Sequence, residues 1–167
     1  MTDSPLTPEL LALASKVGDA LRTRGQRIAV AESSAGGLIS ATILSIGGAS
    51  AYYLGGAVVY TGRSRPLVLD SIPEGTRGAT EAFAELLARG ARARMGSEWG
   101  LAETGATGPS ANPYGDPAGH AWVAVARPDD SVVSRNVLTG SADRPANMAA
   151  FTGAALSLLL EELRRDD

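Results

Sequence analysis

The sequence predicts an α/β domain, a three-layer α/β/α sandwich around a mixed sheet of about five strands. Three observations carry that expectation. Helical apolar spacing alternates with short apolar runs through the first half of the chain. Two β-rich runs, Ala121 to Ala126 and Ser131 to Leu138, flank a Pro128-Asp129-Asp130 turn and read as a hairpin. Between these regions stands the sharpest signal: Ile28 to Ala31 reads as a buried strand, passes through Ser33-Ser34 and Gly36-Gly37, and resumes helical spacing at Leu38, Ile39, Ile43 and Leu44.

The elements follow in order. Met1 to Leu6 reads as a frayed lead-in. Thr7-Pro8-Glu9 starts a helix with a cap, a proline in the first turn and an early acid, and Arg24-Gly25 ends it. A first strand is expected over about Arg27 to Ala31, and the helix after the serine–glycine turn ends before Gly47-Gly48. Tyr52 to Tyr60 reads as a second strand, with Gly55 and Gly56 marking a bulge or close packing. Arg63 to Leu69 is a short helical turn limited by Pro66. Thr80-Glu81 caps an amphipathic helix that presents Phe83, Leu86, Leu87 and Ala91 and ends at Met95-Gly96. Trp99 to Ala102 is a third strand, and Thr104 to Gly119 a long loop rich in glycine and proline, a length often tied to function. After the hairpin, Asp143-Arg144-Pro145 opens the last helix. The 167 residues fit one domain, with no repeat, linker or low-complexity tract.

Composition narrows the chemistry. The chain has no cysteine and one histidine, His120, which removes disulfides, thiolate nucleophiles and histidine or cysteine metal clusters. A formal charge of −3 gives no bulk attraction to nucleic acid or anionic membrane. No apolar run is long enough to span a bilayer and no signal peptide is read, so a cytoplasmic location is expected. Lys16 is the only lysine, so nearly every candidate for a catalytic amine is gone. The Tyr52-Tyr53-Leu54 segment suggests an exposed apolar patch and, through it, a homo-oligomer.

Three segments are expected to meet where strands of an open sheet end: Glu32 to Gly37, Tyr60 to Arg65, and Thr104 to Gly119. They bring hydroxyls from Ser33, Ser34, Tyr60, Thr61, Thr104 and Thr107, glycine turns rich in N–H groups, and Arg63 or Arg65 for an anion. The helix start after Ser33-Ser34 offers free backbone donors and the positive end of a helix dipole, a geometry suited to a phosphate or an oxyanion.

In combination these residues resemble a known family. Glu32-Ser33-Ser34-Ala35-Gly36-Gly37 resembles the Glu-Ser-Cys-Thr-Gly-Gly signature of the CinA C-terminal domain family, the nicotinamide-nucleotide amidohydrolases. The stretch Gly47 to Tyr53, and Gly56 to Thr61 after it, is similar to that family's glycine–serine turn and the strand ending in Tyr-Ser-Asn. Thr104-Gly105-Ala106-Thr107-Gly108-Pro109 resembles its Ser-Gly-Ile-Ala-Gly-Pro loop, Pro117-Ala118-Gly119 its Pro-Val-Gly, and Asp143-Arg144 its Gly-Asp-Arg. The resemblance implies hydrolysis of the carboxamide of nicotinamide mononucleotide to nicotinate mononucleotide and ammonia, with no metal or organic cofactor and a small-molecule nucleotide as the partner. It implies Ser33 as nucleophile and Tyr60 as a proton-handling or orienting partner. Glu32, Ser34, Gly36, Gly37, Thr61, Thr104, Gly105, Thr107, Gly108 and Arg144 are expected to bind the substrate, Arg144 through its phosphate.

The departures fall where the chemistry lies. Arg65 stands where the family has lysine, and an arginine stays protonated and cannot take the Ser33 proton, although it can hold an anion. Ser34 replaces a cysteine, Ala35 a threonine, Asp116 a basic residue and Met148 an arginine. Glu103, Asp116 and His120 are the remaining candidates for a base, His120 reading more simply as a histidine at a strand start. Two readings compete with the amidohydrolase: a nucleotide-binding homologue of little or no activity, and the same scaffold acting on another amide.

Overall fold

A computed structural model describes residues 4–165. The first three residues of the expected lead-in lie outside the described residues. Helix α1 spans Pro8–Arg24, with the Thr7 hydroxyl accepting from the Leu10 N–H and Gly25 closing the C-terminus. Strand β1 is Ile28–Glu32 and helix α2 is Leu38–Leu44. Strand β2 is Tyr53–Val58, followed by a 3-10 segment over Gly62–Leu67. Helix α3 covers Glu81–Met95, capped by the Thr80 hydroxyl. Strands β3, β4 and β5 are Trp99–Ala106, His120–Ala126 and Val132–Leu138, and helix α4 is Arg144–Arg164.

The strands form one five-stranded sheet in the order β2-β1-β3-β4-β5. β1 runs parallel to both β2 and β3, while β4 is antiparallel to β3 and to β5. β1 is thus flanked by strands and helices on every side, and all five of its residues are buried, the pattern of a central parallel strand. Successive side chains of β1 serve opposite layers. Ile28 and Val30 pack with Val17 and Leu21 of α1, Ile39 and Ile43 of α2, and Leu156 and Leu159 of α4. Ala29 and Ala31 face Phe83, Leu87, Ala88 and Ala91 of α3. Three layers result, as expected.

Two strand boundaries differ from the sequence-based expectation, each for a pairing reason. β2 ends at Val58, not at Tyr60, because it is an edge strand whose partner β1 ends at Glu32, opposite Val58. β3 continues to Ala106, four residues beyond Ala102, because β4 pairs with it as far as Ala106 opposite His120. Thr104 and Gly105 therefore sit on a strand and not in the long loop. Gly105 is suited to that place: a Cβ there would lie 2.6 Å from the Ala121 Cβ and from the His120 carbonyl oxygen. The apolar patch expected at Tyr52 to Leu54 is also smaller than predicted. Tyr52 is fully enclosed in the core and Tyr53 is half-buried, which leaves Leu54 as the exposed member.

Candidate active site

The parallel strands β1, β2 and β3 all end at the same edge of the sheet, and the candidate residues gather there. Two carboxylates lie at its base. Glu32 of β1 and Glu103 of β3 are direct register partners, so both project toward the α1/α2/α4 layer, and both are fully buried.

Glu32 closes the start of α2. Its Oε1 accepts the N–H groups of Gly37 at 2.8 Å and Ile39 at 3.0 Å. Its Oε2 accepts the Ser40 N–H at 2.9 Å and the Ser40 hydroxyl at 2.8 Å. The reversal that brings these donors back over the strand uses left-handed backbone at Gly36 and Gly37, with φ of 67° and 96°. The helix start expected to receive a substrate anion is thus occupied by a carboxylate of the chain itself, which satisfies both the orphan donors and the dipole. Glu32 is accordingly a cap for α2, away from the cleft surface.

Glu103 holds the serine turn. Its Oε2 accepts the Ala35 N–H at 2.8 Å and the Ser33 N–H at 3.1 Å, the latter shared with the Glu103 main-chain carbonyl at 3.1 Å. Its Oε1 accepts the Ser34 hydroxyl. Burial pushes the Glu103 carboxyl up to about 7; the hydrogen bonds from Ser34, Ala35 and Ser33 oppose that rise, and the neighbouring Glu32 adds to it.

Above this base lie two adjoining clefts that share Tyr60, Gly105 and Asn112. The first, of about 230 Å³, is lined by Ser33, Arg65, Phe83, Thr104 and Tyr114 among others. Among the described residues the Ser33 hydroxyl has no hydrogen-bond partner, and Ser33 is 9% exposed. The Arg65 guanidinium lies over the Phe83 ring, 4.8 Å from its centroid, with no carboxylate paired to it among the described residues. Thr61 and Gly62 form the rim, and Arg63 is exposed outside it.

The second cleft, of about 200 Å³, is lined by Ser34, Ala106, Thr107, Gly108 and Arg144. The Arg144 guanidinium donates to the Gly108 carbonyl at 2.6 Å and to the Tyr60 hydroxyl at 3.1 Å. It thereby ties the end of β2 to the loop after β3. The buried Asn147 side chain donates to the Thr107 carbonyl at 2.9 Å and fixes the same loop from α4.

His120 and Asp116 are engaged elsewhere. His120 Nε2 lies 3.0 Å from the Ala79 carbonyl oxygen and donates to it, while Nδ1 faces the Asn136 amide at 3.4 Å. The Thr104 hydroxyl accepts the Ala79 N–H at 3.0 Å, so Thr104 and His120 together hold Ala79, with its positive φ of 57°, as one wall of the first cleft. Asp116 accepts from Arg77 at 2.6 Å and 3.3 Å and from the Asn112 amide at 2.8 Å, and these bonds keep its carboxyl below the usual range. The Arg77 guanidinium in turn lies over Tyr114, 4.9 Å from the ring centroid. Neither His120 nor Asp116 makes a hydrogen bond to Ser33 or Ser34.

The sequence reading missed Phe83, Asn112 and Tyr114 as cleft residues and gave Glu103 only a secondary place. Glu103 did carry a signal: it is a lone carboxylate inside an otherwise apolar strand, immediately before Thr104-Gly105. Met148, which stands where the resemblance places an arginine, instead faces a separate apolar hollow with Pro5, Leu38, Ala41 and Pro145. Among the described residues no group of histidine and carboxylate side chains is arranged to hold a metal, and no helix is long and apolar enough to cross a membrane.

The family profile of the CinA C-terminal domain matches residues 10–163. The chain belongs to the CinA C-terminal domain family. Among curated relatives, a CinA-like protein of Salinibacter ruber is 37% identical over 158 residues, covering 93% of this chain and 37% of that protein. One of Anaeromyxobacter dehalogenans is 36% identical over 148 residues, covering 86% of this chain and 36% of its own length. This CinA domain therefore spans little more than a third of those relatives. Solved structures agree over almost their whole length. The competence damage-inducible protein A of Klebsiella pneumoniae superposes with a TM-score of 0.88 at 26% identity, covering 95% of this chain and 99% of that one. A competence/damage-inducible protein of Agrobacterium tumefaciens gives 0.87 at 27% identity, covering 93% and 96%.

Proposed function

We propose that this CinA domain is an amidohydrolase that cleaves the carboxamide of a nicotinamide nucleotide, with Ser33 as the nucleophile. The observation that carries the reading is the Ser33 hydroxyl itself: it is unpartnered among the described residues and opens into a cleft beside an unpaired guanidinium, that of Arg65. The nucleotide would lie along the joined clefts, its ring among Phe83, Tyr114 and Tyr60 and its phosphate toward Gly108 and Arg144.

Ser33 Oγ attacks the carboxamide carbon, the C–N bond breaks, ammonia leaves, and water hydrolyses the resulting ester to free the carboxylate and the hydroxyl. The Ser33 and Ala35 N–H groups are engaged by Glu103 and those of Gly37 and Ile39 by Glu32, so these four offer little to the developing oxyanion. Arg65 is the cation left to stabilise that charge, which gives the arginine a role a general base would not have. Tyr60, fixed by Arg144, orients the substrate where the two clefts join.

The test is ammonia release across nicotinamide nucleotides and related amides, with wild type and Ser33→Ala compared. Activity on nicotinamide mononucleotide that is lost in Ser33→Ala is the expected result. An unchanged rate in that variant would remove Ser33 from the mechanism. A second reading, nucleotide binding without turnover, draws on the same engaged donors. It predicts calorimetric affinity with no ammonia released, and a gain of activity in Arg65→Lys.

A further inference from the structure

Aromatic residues make up only 5% of the chain, yet Tyr60, Phe83 and Tyr114 all line the cleft that holds Ser33. Two of the three have other work. Phe83 is buried and packs with the α3 core, and the Tyr60 hydroxyl accepts from Arg144. Tyr114 stands apart. It is 55% exposed, it sits on the loop after β3, and its hydroxyl makes no hydrogen bond among the described residues. A large exposed ring of this kind is ordinarily free to turn, but this one is held.

The hold comes from behind the cleft. The Arg77 guanidinium lies over the Tyr114 ring, 4.9 Å from its centroid. Arg77 is itself gripped by both oxygens of Asp116, at 2.6 Å and 3.3 Å. Asn112 then fixes the backbone beneath. Its Oδ1 accepts the N–H groups of Tyr114 and Asp116, each at 3.0 Å, and its Nδ2 donates to Asp116 Oδ2 at 2.8 Å. Neither Arg77 nor Asp116 lines either cleft, so the guanidinium covers the outer side of the ring and leaves the rest to the cleft. A partly exposed ion pair of this sort adds little to folding. What it does fix is the plane of one aromatic ring.

We propose that Tyr114 selects substrates in which a planar ring is bonded directly to the scissile carboxamide, and that Arg77 and Asp116 are positioning residues that hold the Tyr114 ring for that contact. The proposal rests on the amidohydrolase reading and names the part of the substrate that this wall recognises. The reasoning is one of distance. Ser33 and Tyr114 line the same cleft of about 230 Å³, so whatever meets Tyr114 while the amide carbon is at Ser33 is the group bonded to that carbon. A flat ring stacks on a tyrosine and a saturated or open-chain group does not. Because the ring is fixed before the substrate arrives, little of the stacking energy is lost in ordering the loop.

The experiment follows kcat and KM for ammonia release from nicotinamide mononucleotide in wild type, Tyr114→Ala, Tyr114→Phe, Arg77→Met and the double variant Tyr114→Ala/Arg77→Met. The inhibition constant of ribose 5-phosphate, which has the sugar phosphate and no ring, is measured in each. Tyr114→Ala is expected to raise KM about tenfold, as loss of one stacked ring does, with kcat and the inhibition constant each changed by less than about threefold. Tyr114→Phe keeps the ring and is expected to stay within about twofold of wild type. Arg77→Met is expected to raise KM about threefold in the wild-type background and to add nothing in Tyr114→Ala. An unchanged KM in Tyr114→Ala, or an equal weakening of ribose 5-phosphate, overturns the ring selection. An Arg77→Met effect that is the same in both backgrounds overturns the positioning role. If wild type releases no ammonia, the amidohydrolase reading fails, and Tyr114 is judged by calorimetric binding of nicotinate mononucleotide against ribose 5-phosphate. A preference for the ring-bearing ligand that is lost in Tyr114→Ala supports the assignment; no preference in wild type, or one that survives in Tyr114→Ala, overturns it.

Discussion

Glu32 and Glu103 are register partners on neighbouring parallel strands, and both carboxyl groups are fully enclosed. Two buried acids side by side are costly unless each is given its own donors. Here the donors are divided by segment. Glu32 takes those of Gly37, Ile39 and Ser40, and Glu103 takes those of Ser33, Ser34 and Ala35. The serine–glycine turn is in effect folded around two carboxyl groups that belong to the chain.

Replacing Glu32 by Ala leaves the Gly37, Ile39 and Ser40 donors without a partner in a closed space. The expected loss is about 3 kcal/mol of unfolding free energy, measured by urea denaturation. A change below about 0.5 kcal/mol would mean that α2 does not depend on this cap.

Glu103 makes stability pH-dependent in a direction opposite to that of a salt-bridged acid. Its carboxyl is raised to about 7 from 4.5, so between those values the folded chain holds a proton that the unfolded chain has released. The contribution is fully present below about pH 4.5 and is lost as pH rises through about 7, amounting to at most about 3 kcal/mol. Denaturation at pH 5 and pH 8 should show wild type losing more stability than Glu103→Gln over that interval. Parallel losses in the two proteins would count against the raised value.

Arg144 and Arg65 are predicted to fail in different ways. Arg144 is exposed and bridges Gly108 to Tyr60, so Arg144→Ala should raise KM about tenfold and change stability by less than about 1 kcal/mol. Arg65 lines the same cleft as Ser33, so on the proposed amidohydrolase mechanism Arg65→Ala should lower kcat by about 100-fold with a smaller change in KM. Steady-state kinetics of the two variants separates the roles, and the reverse pattern would exchange them.

Gly105→Ala tests the register of β3 on β4. The added methyl would meet the His120 carbonyl and Ala121 at 2.6 Å, and both lie on an adjacent strand with little room to yield. A loss of about 2 kcal/mol is expected from thermal or chemical unfolding.

Much of this arrangement can be read from the sequence. The caps at Thr7, Thr80 and Asp143, the buried run of β1 and the Pro128-Asp129-Asp130 hairpin turn are local signals, and each element appears where its local chemistry places it. Strand ends were harder to read, because they depend on a partner. Thr104-Gly105-Ala106 looks like the start of a loop until β4 lies beside it, and Tyr60 looks like a strand end until β1 stops short. The site shows the same division. Ser33, Tyr60, Arg65 and Thr104 do line one cleft, but the partners that determine their chemistry come from distant segments: Glu103 for Ser34, Asp143's neighbour Arg144 for Tyr60, and Phe83 for Arg65. No local spacing rule brings those pairs together.

The segment after β3 begins and ends at almost the same point. Gly119 donates to the Ala106 carbonyl at 2.8 Å, and Thr139 donates to the Gly119 carbonyl at 3.0 Å, so its two feet are stapled to the sheet. Asp116 and Asn112 then brace its interior, while Ser110, Ala111, Pro113 and Gly115 stay at the surface. A closed, self-braced loop of this kind exchanges its tip without disturbing the strands that carry it. Substitutions at Ser110, Ala111 or Pro113 can therefore reshape the cleft wall facing Tyr60 while the buried acids beneath are left untouched.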